Sequence, residues 1–247
     1  MVGETIMRIA LIADIHGNLT ALEAVLTDVE AAGVDQVVCL GDVAATGPQP
    51  HEVIERLRAL PCLVVMGNAD ADLLRPIHPV PADEDGRRFA EIDAWCAAQL
   101  TAADLSYVRT FKPTVTLPLG DDDSLLCFHG SPGSNTESIV ATTSDEALAP
   151  LLDGYGATVY AGGHTHTPFI RRHKGAFFLN PGSVGLPYVP TESGTYQPPW
   201  AEYGIVEWRA GSLDVALRRV PIDTEMVRQA ALRSGMPHAE WWASGWR

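Results

Sequence analysis

The chain has 247 residues, with 31 acidic side chains against 17 lysines and arginines and a formal net charge of -14. That length sustains one sizeable core and a minor appendage, and 46% hydrophobic with 19% charged content is ordinary for a globular protein. The acidic balance argues against a general nucleic-acid or anionic-membrane binder, since both rely on Lys and Arg. It leaves room for a small phosphate ester held through a metal ion.

The opening "MVGETIMRIALIADIHG" holds only a short apolar run before Asp14 and His16. That is too short for a signal peptide, and no run reaches the roughly 18–20 residues of a membrane span. A cytoplasmic location is the expectation. Cys39, Cys62, Cys96 and Cys127 show no CxxC spacing and read as buried thiols of a reducing compartment.

"RIALIAD" (8–14) predicts a strand buried on both faces. Leu19, Leu22, Val25, Leu26 and Val29 then fall at helical spacing, with Gly33 as the stop. A strand over 35–42, a helix over 50–60 opened by Pro50, and a strand over 61–68 complete a β-α-β-α-β series, which implies a parallel sheet. Residues 71–110 read as a helical insertion: a Pro-rich loop, a helix around 86–99 and a short one capped by Thr101. Strands follow near 113–119 and 124–129 across the acidic turn "GDDD", then a helix near 144–152 and "TVYAGGHTH" (158–166). Two hairpins are predicted, over 169–183 with its turn at Lys174-Gly175 and over 201–220 with its turn at Ala210-Gly211. From Thr224 to Arg247 the tail reads as helical, with Trp241, Trp242 and Trp246 packing on the body or a neighbour. No repeat or linker interrupts the chain, so a single domain over 1–247 is expected.

The polar residues stand at the carboxyl ends of these strands: Asp14 and His16, Asp42, Asn68, His129, and His164 with His166. Ligands of open α/β sheets gather there. Asp14/His16 and His164/His166 are i, i+2 pairs, which an extended backbone projects to one side. Imidazole with carboxylate and no thiolate suits Mn, Fe, Zn or Co. Seven donors exceed what one catalytic ion uses and suit two that share a carboxylate.

The series "DIHGN", "GD", "GN", "HG" and "GHTH" resembles the calcineurin-like metallophosphoesterases, in particular their compact bacterial and archaeal branch. The likeness covers roughly residues 7–220 and extends to "NPGSVGLP" (180–187) and to "TGPQP" (46–50), where that branch often carries a tyrosine in place of Thr46. It implies an α/β fold, a four-layer α-β-β-α sandwich of two mixed sheets. It also implies two divalent ions: Mn2+ first, with Fe, Zn, Co or Ni as alternatives. Asp14, His16 and His166 would hold one, Asn68, His129 and His164 the other, and Asp42 would bridge them. Two cations sharing Asp42 hold a bridging water and make hydroxide available near neutral pH, so the expected activity is hydrolysis of a small phosphodiester or phosphomonoester. A non-catalytic scaffold on the same fold and a phosphoprotein phosphatase are the alternatives, and oligomerisation is left open. The free N–H groups where the first helix starts, at Gly17-Asn18, are expected to favour an anion.

In many members a His follows the Asn and gives the leaving group its proton, and some compact members have a Cys there. Here the residue is Ala69, which can do neither. Asp70, whose role in the family is to orient that His, is retained as a candidate catalytic residue, and the general acid is unassigned. Of the other histidines, His51 reads as solvated or capping, His78 as a loop residue able to reach the site, His173 as part of a solvated turn within "RRHK", and His238 as structural. Tyr188 is placed to touch substrate or to pack.

Overall fold

Alternation along the first strand decides the layering. In β1 (Ile6–Ile12), Ile9 and Leu11 face one apolar cluster while Ala10 and Ile12 face another, as a strand covered on both sides requires. The structure is a computed structural model and describes residues 6–75, 83–120, 122–192, 194–209 and 211–247.

The first half follows β1 with α1 (Leu19–Ala32), β2 (Gln36–Cys39), α2 (Pro50–Arg58), β3 (Cys62–Val64), α3 (Asn68–Leu73), α4 (Glu84–Gln99) and α5 (Ala102–Val108). The Asn18 side chain accepts the Ala21 N–H to start α1, and Gly33 ends it at φ 64°. Thr101 and Asp104 cap α5 reciprocally. Next come β4 (Val115–Pro118), β5 (Ser124–Cys127), α6 (Asp145–Leu152), β6 (Val159–Ala161), β7 (Phe169–His173) and β8 (Ala176–Asn180). The short β9 (Val189–Thr191) and β10 (Gly194–Tyr196) pair with each other, and β11 (Trp200–Arg209), β12 (Ser212–Pro221), α7 (Thr224–Ser234) and α8 (Ala239–Ser244) close the chain.

Two five-stranded sheets result, ordered β12-β11-β1-β2-β3 and β4-β5-β6-β8-β7. Each has parallel central pairs (β1 with β2 and β2 with β3; β5 with β6 and β6 with β8) and antiparallel strands beside them, so both are mixed. One apolar layer lies between the sheets, with Leu11 and Leu40 meeting Leu125, Cys127 and Val159. A second packs Leu22, Val25 and Ile54 of α1 and α2 on the outside of the first sheet, and a third packs Leu148 and Leu152 of α6 on the outside of the second. Each fully buried Leu, Ile or Val in these layers contributes about 1.5–3 kcal/mol. The order is helix, sheet, sheet, helix, the α-β-β-α sandwich expected.

One local expectation is corrected and one pair of strands is added. The strand expected over 61–68 stops at Val64, and Asn68 opens α3 rather than ending a strand. The β9-β10 pair, two three-residue strands, carried no periodic signal. The tail is helical, and Trp242 and Trp246 enter the core beside α1 and α2 while the Trp242 Nε1–H donates to the Thr46 carbonyl at 2.8 Å.

Candidate metal centre

The donors arrive on sharp turns, not on extended chain. Asp14, His16, Asp42, His164 and His166 all lie in the left-handed region, with φ between 46° and 69°. This corrects the i, i+2 rationale: each pair converges because the backbone twists at both members. Such geometry costs about 1–2 kcal/mol per residue and persists only where the surroundings enforce it. Here they do. Asp14 N–H donates to Gly41 O and His16 N–H to Asp42 O, each at 3.0 Å, while His164 N–H donates to the Asp14 carboxylate at 3.1 Å.

The segment 180–187 holds the same turns from the other side. Ser183 Oγ donates to Asp14 O at 2.8 Å and accepts the Leu186 N–H, and Asn180 Nδ2 donates to Gly163 O at 2.7 Å. A side chain at Gly185 would place Cβ 1.7 Å from the Ile15 carbonyl oxygen. The start of α1 is less open to an anion than expected, because the N–H groups of Gly17, Asn18 and Ala21 go to Val43 O, Ile15 O and the Asn18 side chain.

Two clusters form. Asp14, His16 and His166 each present one donor atom, all within 4.8 Å of one another, and Asp42, His129 and His164 do the same. Asn68 joins the second through its Oδ1, 3.0 Å from His129 Nε2. All seven sequence-predicted donors are therefore brought together. Asp42 stands between the clusters: its Oδ2 is 3.3 Å from His129 Nε2 and 3.8 Å from His16 Nε2, while Oδ1 accepts the Ala69 N–H at 2.8 Å.

Three imidazoles are oriented by backbone oxygens that only accept. His16 Nδ1 meets Ala45 O at 3.2 Å, His129 Nδ1 meets Leu40 O at 2.7 Å and His166 Nδ1 meets Leu186 O at 2.8 Å. A proton on each Nδ1 leaves Nε2 as a bare lone pair. Yet His16 Nε2 and His166 Nε2 lie 3.1 Å apart, and His129 Nε2 faces the Asn68 oxygen and a carboxylate. Acceptors set this close in a buried site need a proton or a metal cation among them, and imidazoles held from behind by backbone oxygens are the arrangement of metal ligands, so the donor set fits divalent metal. The electrostatics of the buried site express the same conflict. Burial and the neighbouring His166 pull His16 down to about 4. At His129 burial pulls the same way, but the Asp42 charge overrides it and lifts the group to about 10. Against its own burial, Asp42 is held well below the usual carboxylate range by His129 and His16.

Asp70 does not face the cleft as an acid would. It is fully buried, and its oxygens accept the backbone N–H groups of Asp42 and Val43 at 2.8 Å and of Gly67 at 3.1 Å. Burial and the Asp42 charge raise it to about 7, against the pull of those donors. Its place is beneath the Asp42 turn, where its contacts are to backbone and not to the clustered donor atoms. A side chain at Gly67 would place Cβ 2.0 Å from Asp42 Oδ1. Gly67→Ala is therefore expected to push Asp42 out of place and to lower metal content, measured by elemental analysis after dialysis, with far-UV circular dichroism unchanged.

Sequence reasoning missed the orienting carbonyls of Leu40, Ala45 and Leu186, which no residue type signals, and Asn135, whose Nδ2 donates to Gly67 O at 3.1 Å. His173 is buried rather than solvated, held between Asp153 and Asp145, and Arg171 and Lys174 of the same basic run also pair with those two acids. His51 pairs with Asp104 at 2.8 Å and His238 with Glu91 at 2.8 Å, both away from the donors. His78 lies outside the described residues.

Comparison with known proteins agrees with this geometry. Residues 7–198 match the calcineurin-like phosphoesterase superfamily domain. The crystal structure of a metallophosphoesterase from Sphaerobacter thermophilus superposes with a TM-score of 0.75 at 27% identity, covering 97% of each chain. The phosphodiesterase YfcE of Escherichia coli K12 is 28% identical over 191 residues, 73% of this chain and 81% of that protein. An uncharacterized protein of Methanocaldococcus jannaschii is 29% identical over 196 residues, 72% of this chain and 76% of the other. With two mixed sheets and paired donor clusters at their carboxyl ends, the chain belongs to the calcineurin-like phosphoesterase superfamily, as a metal-dependent phosphoester hydrolase.

Proposed function

We propose that this protein hydrolyses a phosphate ester of a small molecule at a dinuclear centre. Asp14, His16 and His166 hold one divalent cation, Asn68, His129 and His164 the other, and Asp42 serves both. The observation that carries this reading is Asp42 Oδ2, which lies within 4 Å of an imidazole Nε2 from each cluster. Imidazole and carboxylate donors without thiolate suit Mn2+, Fe, Zn, Co or Ni alike, and Mn2+ is put first on the family resemblance. When bound, such cations supply Lewis acidity, lower the pKa of water toward neutrality and offset the charge of the phosphoryl group.

The chain's own residues do the rest. The carbonyls behind His16, His129 and His166 fix each ring so that Nε2 points inward. Asn68 contributes an oxygen without adding negative charge, and its amide nitrogen, which has no acceptor among the described residues, is free to donate to a phosphoryl oxygen. Asp70 is a positioning residue that fixes the turn carrying Asp42. Trp242 and Trp246 pack into the same core as β1 and α1, which supports reading all 247 residues as one catalytic unit.

Purified protein loaded with Mn2+ is expected to hydrolyse bis(p-nitrophenyl) phosphate or p-nitrophenyl phosphate, and to lose that activity on chelation. Absence of turnover on both esters with every divalent metal tried, on protein shown to contain metal, overturns the reading.

A further inference from the structure

A cavity of about 710 Å³ opens directly beside His166. Its wall carries Phe89 from α4, Tyr188 after the 180–187 segment, and Trp241 and Trp242 from α8, with Gln197 and Asp85 at its edge. Phe89 and Tyr188 are 38% and 40% exposed. None of these aromatics is loose. Trp241 meets Phe89 edge to face at 5.0 Å between centroids, with the Arg88 guanidinium 5.2 Å from its ring centre. The Tyr188 hydroxyl donates to Thr165 O at 3.0 Å, which sets its ring 6.2 Å from that of His166.

We propose that this cavity is the subsite for a nucleoside carried by the phosphate ester. The proposal rests on the hydrolytic reading above and names the substrate class for that site. His166 belongs to both the donor cluster and the cavity wall, so an ester whose phosphoryl group sits at the metals has this volume next to it. The size suits a mononucleotide-sized ligand. Rigid aromatic faces stack on a base whatever its identity. The Gln197 side-chain amide makes no hydrogen bond to described residues and offers both a donor and an acceptor to a base or ribose edge. The lining includes Asp85, and the nearby Arg88, stacked on Trp241, is already paired with Glu84 and Asp85, which disfavours a polyphosphate or a second anionic group.

The test compares two diesters with the same p-nitrophenolate leaving group: the p-nitrophenyl ester of thymidine 5′-phosphate and methyl p-nitrophenyl phosphate. With Mn2+-loaded protein, the thymidine ester is expected to show a kcat/KM higher by roughly 5- to 100-fold, the range of one aromatic stacking contact, and Trp241→Ala and Tyr188→Ala are expected to shrink that ratio toward one. Calorimetric titration of free thymidine and adenosine into metal-free protein reads the cavity without catalysis, and binding should weaken in the same variants. Should Trp241→Ala fail to fold, Phe89→Ala, on an exposed face of α4, takes its place. Equal kcat/KM on the two esters, with no nucleoside binding, overturns the subsite and leaves the phosphoesterase intact. Nucleoside binding that depends on Trp241, with neither ester hydrolysed, supports the subsite and counts against the hydrolytic reading.

Discussion

Asp42→Asn is expected to abolish hydrolysis, by at least about 10³-fold, beyond the 10²–10³ typical of losing a single transition-state donor. The substitution is nearly isosteric, and the amide oxygen can still accept the Ala69 N–H that Oδ1 accepts now. What changes is the other end of the group. Oδ2 faces His129 Nε2 and His16 Nε2, and an NH2 in its place would donate to those lone pairs and deny them to a cation. The carboxylate that stands between the two clusters is then gone, and with it the charge and the oxygen it would offer a cation. Metal content after dialysis should fall, kcat should stay low in excess Mn2+, and thermal unfolding should remain a single transition. Near-wild-type turnover in this variant removes the bridging assignment.

The second large effect concerns the leaving group. Position 69 supplies no proton: Ala69 contributes only its backbone N–H, held on Asp42 Oδ1 at 2.8 Å. Asp70, next in sequence, has its carboxylate occupied by three backbone donors. Esters of poor leaving groups should therefore be disfavoured by roughly 10²–10⁴-fold relative to nitrophenyl esters, the contribution general acid catalysis typically makes. A plot of log kcat against leaving-group pKa is expected to fall steeply in the wild type. Ala69→His is expected to flatten it, mainly by accelerating alkyl esters. A shallow wild-type slope would mean that another group donates the proton.

Much of this architecture was legible in the chain because local signals and tertiary packing agreed. Leu22, Val25 and Leu26 recur at helical spacing and face the core; Gly33 takes the left-handed geometry that a helix end needs. Lys174 and Gly175 both have positive φ, as a two-residue hairpin turn requires. The seven donors were legible from their placement after buried strands. Their mode of convergence was not. Twists at Asp14, His16 and Asp42 are imposed by hydrogen bonds to distant backbone, such as Asp42 O and Gly41 O, and a one-dimensional pattern carries no trace of these. For the same reason "NADADL" concealed α3: a six-residue helix has too few turns for periodicity to declare itself. The place of Asp70 was not legible because its partners are main-chain N–H groups, which every residue possesses.

The partition of donors between the two sheets has a consequence for the life of the protein as well as for its chemistry. On the proposed ligand set, Asp14 and His16 follow β1 of one sheet while His166 follows β6 of the other, and the second ion is likewise shared between Asn68 and the pair His129 and His164. A cation there is a reversible staple across the sandwich, joining positions as far apart as the 150 residues between His16 and His166. Fastening so long a loop restricts the denatured chain far more than the native one, and ligand bound only by the folded form raises stability by mass action. On that ligand set, protein stripped of its ions is expected to open, and to be cut by an added protease, more readily than protein loaded with metal.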